Sequence, residues 1–218
     1  MYTWKNKLKL PEMGKKQPVL ILLRHGQSLW NLENRFTGWK DIDLSEAGKL
    51  EANHAAVLLE KEDIDIAFSS SLKRAVHTLD IVLKALNLEN IPAYKSDQLN
   101  ERAYGKLEGL NKDAATLTYG LEKVTLWRRS FFVAPPGGES LKDTAKRVIP
   151  YYHTNITPKL MEGKTVLVVA HGNSLRALMM FLETLSPEQI YLTELPTCVP
   201  RKYTMNSALK ILRVQFIV

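Results

Sequence analysis

Val19-Leu20-Ile21-Leu22-Leu23-Arg24-His25-Gly26 and, far along the chain, Thr165-Val166-Leu167-Val168-Val169-Ala170-His171-Gly172-Asn173-Ser174 follow one local plan. Each is an apolar, partly β-branched run of strand length, then His-Gly, then a segment able to start a helix. Runs that stay apolar without alternating suit parallel strands covered on both faces. In an open α/β sheet the carboxyl ends of the strands face the binding crevice, so the plan delivers His25 and His171 to one sheet edge and makes two imidazoles converge. Glycine after each histidine lets backbone approach a ligand closely, and the amides at the following helix start offer donors to an anion. A phosphoryl group fits that geometry. A single His-Gly reads as an ordinary turn; with the duplication, catalysis and a bland turn are equally good readings of these residues.

The rest of the chain alternates in the same way. Residues 45–60 read as an amphipathic helix with Leu50, Ala52, Ala55, Ala56, Leu58 and Leu59 apolar, 64–68 as a strand, 71–87 as a long helix, 91–94 as a short strand and 111–119 as a helix. Pro135, Pro136, Gly137 and Gly138 break the chain, and 140–161 resume a helical pattern with an irregularity at Pro150. Beyond the strand at 165–170 come a helix at 174–185, the start signal Ser186-Pro187-Glu188-Gln189, and strands at 198–205 and 211–218. This alternation predicts an α/β fold, a three-layer α/β/α sandwich with a mostly parallel central sheet. No repeat, low-complexity tract or internal boundary is visible. Residues 19–218 read as a single domain behind a basic leader, 1–18, expected to be flexible.

At 218 residues, 45% hydrophobic and 24% charged, the chain can bury a sizeable core, which excludes disorder and collagen. Cys198 is the only cysteine, leaving nothing for an intramolecular disulfide or a Cys/His zinc cluster and pointing to a reducing, cytoplasmic address. No apolar run approaches the roughly 18–20 residues of a membrane helix, so no membrane partner is expected. Of the formal net charge of +7, the leader supplies +4 through Lys5, Lys7, Lys9, Lys15 and Lys16 against Glu12. The remainder is a weak case for nucleic acid; arginines in special contexts point instead to a small anionic substrate. There is no His-Glu-x-x-His, clustered carboxylate loop or glycine-rich nucleotide fingerprint, and no metal is expected.

Neutral imidazole is a competent nucleophile toward phosphorus, and arginine matches phosphate through paired donors. Arg24 flanks His25, and Arg74 follows the end of the strand at 64–68, which places a second guanidinium at the same sheet edge. Read alone, Arg74 is as readily an exposed helix arginine, and Arg128-Arg129 a solvated helix face. His54, His77 and His153 fall in helical patterns and read as surface or packed residues.

Arg24-His25-Gly26-Gln27-Ser28, with Asn31, Arg35, Thr37-Gly38-Trp39 and Asp43-Leu44-Ser45-Glu46-Ala47-Gly48, resembles the opening of the cofactor-dependent phosphoglycerate mutases of the histidine phosphatase superfamily. Leu99-Asn100-Glu101-Arg102, Tyr104-Gly105, Gly109-Leu110-Asn111-Lys112, Trp127-Arg128-Arg129 and Ala170-His171-Gly172-Asn173-Ser174-Leu175-Arg176 resemble later blocks of that family in order. The resemblance implies a phosphoglycerate-mutase-like fold, with His25 phosphorylated, His171 stabilising the transferring group, and Arg24 and Arg74 binding it. Asn31 and the backbone around Thr37 and Gly38 add donors, as would Gly172 and Asn173 beside the second histidine. Glu101 would be the general acid and base, a role calling for a raised pKa or a shared proton. Tyr104, Lys112, Arg128 and Arg129 would hold the carboxylate and the phosphate not being transferred. Trp30, Trp39 and Trp127, beside these ligands, are expected to shape the pocket wall.

The implied activity is interconversion of 3-phosphoglycerate and 2-phosphoglycerate in glycolysis and gluconeogenesis, primed by 2,3-bisphosphoglycerate without metal, in a homodimer or homotetramer. Two departures bear on it. Residues 131–141 cross directly where the long form of the family carries roughly two dozen more residues, and the chain stops soon after its last strand; both missing pieces would help to cover the pocket and exclude water. Ala103 stands where the family often has histidine. A phosphohistidine phosphatase of broader specificity, a bisphosphoglycerate mutase and a noncatalytic phosphopeptide binder are the alternatives.

Overall fold

The structure, a computed structural model, describes residues 16–218. Six strands form one sheet: β1 (Val19–Arg24), β2 (Ile66–Ser70), β3 (Ala93–Ser96), β4 (Thr165–Ala170), β5 (Arg201–Met205) and β6 (Ile211–Phe216), in the order β3-β2-β4-β1-β5-β6. The pairs β3/β2, β2/β4 and β4/β1 are parallel, and β5 and β6 run antiparallel at one edge.

The alternate residues of each central strand explain why positions 19–23 of β1 and 166–170 of β4 are all apolar. Val19, Ile21, Leu23, Leu167 and Val169 pack on one face under the two helices that follow the single turn α1 (Leu29–Leu32), namely α2 (Glu46–Leu59) and α3 (Lys73–Ala85). Leu20, Leu22, Val166, Val168 and Ala170 pack on the other, against α6 (Leu141–Tyr151), α7 (Thr157–Met161) and α8 (Gly172–Leu182). Each such side chain contributes about 1.5–3 kcal/mol when taken from water, and a polar residue at any of these positions would meet apolar neighbours whichever way it pointed. A smaller cluster of Phe36, Leu107, Ala115, Val124 and Trp127 unites α4 (Lys112–Tyr119) and α5 (Leu121–Arg129).

Several boundaries move from their expected places. Leu50, expected on the apolar face of α2, is 71% exposed, because that face runs through Gly48, Ala52, Ala55, Ala56 and Leu59, a set whose helical spacing puts position 50 on the opposite side. The helix α5 extends from the helix face read at Arg128-Arg129 back to Leu121, a span with no separate signal in the sequence. The last-but-one strand begins at Arg201 and not Cys198, since Cys198 has a left-handed φ of 54° and Pro200 follows. The expected irregularity near Pro150 takes the form of a π turn, Tyr152–Ile156, joining α6 to α7; proline lacks the N–H that would continue the ladder. Of the basic leader, residues 1–15 lie outside the described ones. Lys16 sits against the body, its Nζ 3.4 Å from Asp65 Oδ2, and Pro18 O accepts from Met205 N–H at 3.0 Å. No helix among the described residues is long and apolar enough to cross a membrane.

Candidate active site

The register of β1 on β4 decides where the chemistry sits. Val19 pairs with Thr165, and the strands keep step through Arg24 and Ala170, so His25 and His171 leave the sheet level with one another. His25 N–H donates to Ala170 O at 3.0 Å. The two rings are buried and meet edge to face with centroids 4.9 Å apart.

Nδ1 of His25 is 2.6 Å from Gly26 O. A carbonyl can only accept, so Nδ1 carries the proton and Nε2 keeps its lone pair. Burial, then the charges of Arg74 and Arg24, hold this histidine well below its ordinary pKa, leaving a neutral, nucleophilic ring at neutral pH. Nε2 of His171 is 2.6 Å from Ser70 Oγ, which accepts Leu72 N–H at 3.3 Å. The Ser70 hydroxyl fixes the orientation of the ring through Nε2, while Nδ1 is buried without a partner among the described residues. Burial, Arg74 and His25 keep His171 well below its ordinary pKa too.

The loop bearing His25 is pinned by bare backbone. A Cβ on Gly26 would come 2.3 Å from Gly48 O, and one on Gly48 2.0 Å from Gln27 O, so only glycine lets the first turn of α2 pass this close. Gly26 N–H donates to Thr78 Oγ1 at 3.1 Å, and that hydroxyl donates to Arg74 O at 2.6 Å. The nucleophile and the second arginine thus share one frame.

Around the rings lies a polar cavity of about 170 Å³ with seven cationic side chains, Arg24, Arg35, Arg74, Lys112, Arg128, Arg129 and Arg176, against two carboxylates, Glu101 and Glu194. Arg74 is 1% exposed and donates to Lys40 O and Gly38 O at 2.9 and 2.8 Å; burial brings its pKa to about 10, still charged at neutral pH. Arg24 Nη1 donates to Leu195 O at 3.0 Å, while its Nε, like Thr37 Oγ1 and Arg176 Nε, is buried with no partner among the described residues. An unpaired buried donor costs about 1–3 kcal/mol, and a multiply charged oxyanion would satisfy this set. Asn31 accepts Ser28 N–H on Oδ1 at 3.1 Å, leaving its amide nitrogen for a ligand.

Glu101 Oε1 accepts Arg102 N–H at 2.7 Å and Asn173 N–H, in the first turn of α8, at 3.1 Å. The side chain lines the cavity. Gly172 stands between Glu101 and Arg24, a Cβ there falling 3.8 Å from Glu101 Oε2 and 3.7 Å from Arg24 Nε. Tyr104 Oη accepts from Arg102 Nη2 at 3.0 Å and Asn173 Nδ2 at 3.3 Å. Burial would raise its pKa, but Arg102 and these bonds outweigh that and lower it. Burial, Arg128 and Arg24 lower that of Lys112.

Every residue picked from the sequence for this site lines the cavity except His171, which lies behind His25. Arg35 and Arg176, quoted within the matched blocks but given no role, line it as well. So do Phe36, Thr193, Glu194 and Leu195, of which Glu194 pairs with Arg129; no local pattern marks these last three. The tryptophans correct an expectation: none lines the cavity. Trp39 Nε1 donates to Glu101 O at 2.6 Å, Trp127 is packed in the α4/α5 cluster, and Trp30 lies against Gly109. His77 bonds Asp43 at 2.7 Å, and His153 packs its ring on Phe181. Among the described residues no three His, Cys, Asp or Glu gather as a metal site.

The family model for the histidine phosphatase superfamily (branch 1) matches residues 20–210. The chain belongs to that superfamily. A 2,3-bisphosphoglycerate-dependent phosphoglycerate mutase of Cytophaga hutchinsonii is 51% identical over 200 residues, 92% of this chain and 93% of the relative. One of Nitrobacter winogradskyi is 56% identical over 191 residues, 87% and 92% of the two chains. Among solved structures, a protein described as mycobacterial hydrolase 1 superposes with a TM-score of 0.79 at 26% identity, covering 92% of this chain and 97% of the other. A mycobacterial glucosyl-3-phosphoglycerate phosphatase in complex with VO3 gives 0.78 at 26% identity over 92% and 98%. The resemblance read from the sequence blocks therefore extends over most of the chain.

In this superfamily member the two neutral histidines also govern acid stability. The unfolded chain takes up protons on both rings near pH 6.5 while the folded one does not, so below about pH 6.5 stability falls by up to about 1.4 kcal/mol per pH unit for each ring, until the folded-state values are reached. The denaturant midpoint is expected to drop between about pH 7.5 and about pH 5.5, above the range where most carboxylates titrate. A constant midpoint would mean that the rings take up protons in the fold as they do in the unfolded chain.

Proposed function

We propose that the chain is a 2,3-bisphosphoglycerate-dependent phosphoglycerate mutase, interconverting 3-phosphoglycerate and 2-phosphoglycerate in glycolysis and gluconeogenesis, with residues 19–218 as one catalytic domain. The observation that carries this reading is the level pairing of a neutral His25, its Nε2 free, with His171 packed on its ring, beside a cavity whose seven cations outnumber its carboxylates. Curated relatives above 50% identity bear that name over nearly their whole length. The bisphosphoglycerate would supply the phosphoryl group that primes His25; the unpaired donors of Arg24, Thr37 and Arg176 in the cavity wall suit such an anion.

In each half-reaction His25 Nε2 bonds to phosphorus as the phosphorus–oxygen bond to the substrate breaks, or the reverse. Arg24 and Arg74 hold the equatorial oxygens, where charge is spread in the transition state, and His171, packed against the His25 ring, helps to stabilise that charge. Glu101 gives the departing oxygen its proton and takes one from the attacking hydroxyl. Asn31, the Thr37–Gly38 backbone, Gly172 and Asn173 complete the cradle, while Tyr104, Lys112, Arg128 and Arg129 receive the carboxylate and the second phosphate. A cytoplasmic location and an assembly of two or four copies belong to the same reading and rest on the family resemblance.

Hydrolysis through the same phosphohistidine is the second reading, favoured by the phosphatase among the structural neighbours and by the direct crossing at residues 131–141. Purified protein assayed in a chelator, with and without added bisphosphoglycerate, separates the two. Isomerisation quickened by the bisphosphate and outrunning phosphate release is the expected result. Phosphate release equal to or faster than isomerisation would overturn the mutase reading, and net bisphosphate synthesis would make the protein a bisphosphoglycerate mutase.

A further inference from the structure

Outside the cavity, one ion pair has its charged atoms aimed at the chain segment that carries Glu101. Arg147, on α6, has five N–H donors and uses all of them. Nε and Nη2 grip Glu139 Oε1 and Oε2 at 2.9 and 2.8 Å. Nη1 donates to Gln98 O and Asn100 O, and Nη2 also to Glu101 O, each at 2.9 Å. Glu139, in turn, accepts Ala103 N–H on Oε2 at 3.0 Å and returns its own N–H to Ala103 O at 2.8 Å. The backbone on both sides of Glu101 is thus fastened to a single guanidinium–carboxylate unit whose side chains are 13% and 21% exposed. Trp39 closes the third side, donating to Glu101 O at 2.6 Å with Arg147 5.5 Å over its ring.

Neither member of the pair lines the cavity, so neither can touch a substrate there. A pair serving packing alone would have no reason to spend three of its five donors on the carbonyls of Gln98, Asn100 and Glu101, within one short segment. A lysine has three donors and no planar fork, and could not repeat the pattern. We infer that Glu139 and Arg147 are positioning residues, which hold Glu101 where it can exchange a proton with the reacting oxygen of the substrate. This deepens the proposed reaction and rests on the role assigned there to Glu101.

The leaving group separates positioning from mere structural support. An alkoxide leaving phosphoglycerate needs its proton from Glu101, whereas nitrophenolate leaves p-nitrophenyl phosphate as a stable anion and needs none. In both cases the phosphorus–oxygen bond breaks as His25 Nε2 bonds to phosphorus. For Arg147→Gln, kcat on 3-phosphoglycerate is expected to fall about 10- to 100-fold, in line with a displaced acid–base group, while KM and the pre-steady-state burst of nitrophenolate hold. Glu139→Gln, which keeps one acceptor oxygen, and Arg147→Lys, which keeps the charge, are expected to shift the same ratio by less, and they carry the comparison if Arg147→Gln does not fold. A burst that falls in step with kcat would overturn the assignment, as would an unchanged kcat. If the unsubstituted protein fails to isomerise phosphoglycerate, the mutase reading fails, yet the burst compared between an alkyl and an aryl phosphate still tests the positioning of Glu101.

Discussion

Replacing His25 with alanine is expected to lower phosphoglycerate isomerisation by on the order of 10⁴- to 10⁶-fold, the range seen when a covalent nucleophile is removed, and to abolish phosphorylation of the protein by 2,3-bisphosphoglycerate. The expectation follows from the ring's surroundings. Nδ1 is committed to Gly26 O, so Nε2 is the ring's one lone pair, and the buried neighbour His171 has its Nε2 against Ser70. Among the described residues no other histidine lines the cavity that Arg24 and Arg74 share. Alanine leaves the backbone bonds of Gly26 to Thr78 and of His25 to Ala170 in place, so the cavity and its cations should persist. Acid-labile label on the unsubstituted protein and none on the variant is the readout; a variant that still isomerises would remove the phosphohistidine from the mechanism.

Glu101→Gln carries the second large effect, about 10²- to 10⁴-fold in kcat on phosphoglycerate. Glutamine is nearly isosteric, and its amide oxygen can keep the bonds from Arg102 and Asn173 that now fix Oε1. What disappears is the ability to give and take a proton. The nitrophenolate burst should be spared, because that leaving group needs no acid, and KM should move little since the cationic anchors are untouched. A burst lost in parallel with kcat would assign Glu101 to holding the phosphoryl group and not to proton exchange.

Much of this site is legible in sequence, and the reason is local. Strands covered on both faces must be apolar where both faces are packed, so residues 19–23 and 166–170 announce themselves, and a residue directly after such a strand has its place fixed by the sheet. The ordered blocks then carry Glu101, Tyr104, Lys112 and the arginine pair to the cavity. Leu50 misleads because a helix read by composition alone has no phase; only the packed set at Gly48, Ala52 and Ala55 supplies one. Arg147 and Glu139 are invisible for a different reason. Eight positions apart, they look like any charged pair near a helix start, and the acceptors that give Arg147 its meaning lie nearly fifty residues away on carbonyls that every residue possesses. Glu194 reaches Arg129 by the same kind of tertiary route.

The crossing of Gly26 over Gly48 has a consequence for how this protein can change. Two bare main chains touch with no side chain between them, so the joint contains no rotamer through which a neighbour's substitution could be absorbed. Drift elsewhere in the core can be taken up by repacking, but at this joint a mutation in one partner offers no opening for compensation by the other. Selected libraries randomised at both positions should return the original pair together, and never one of the two alone.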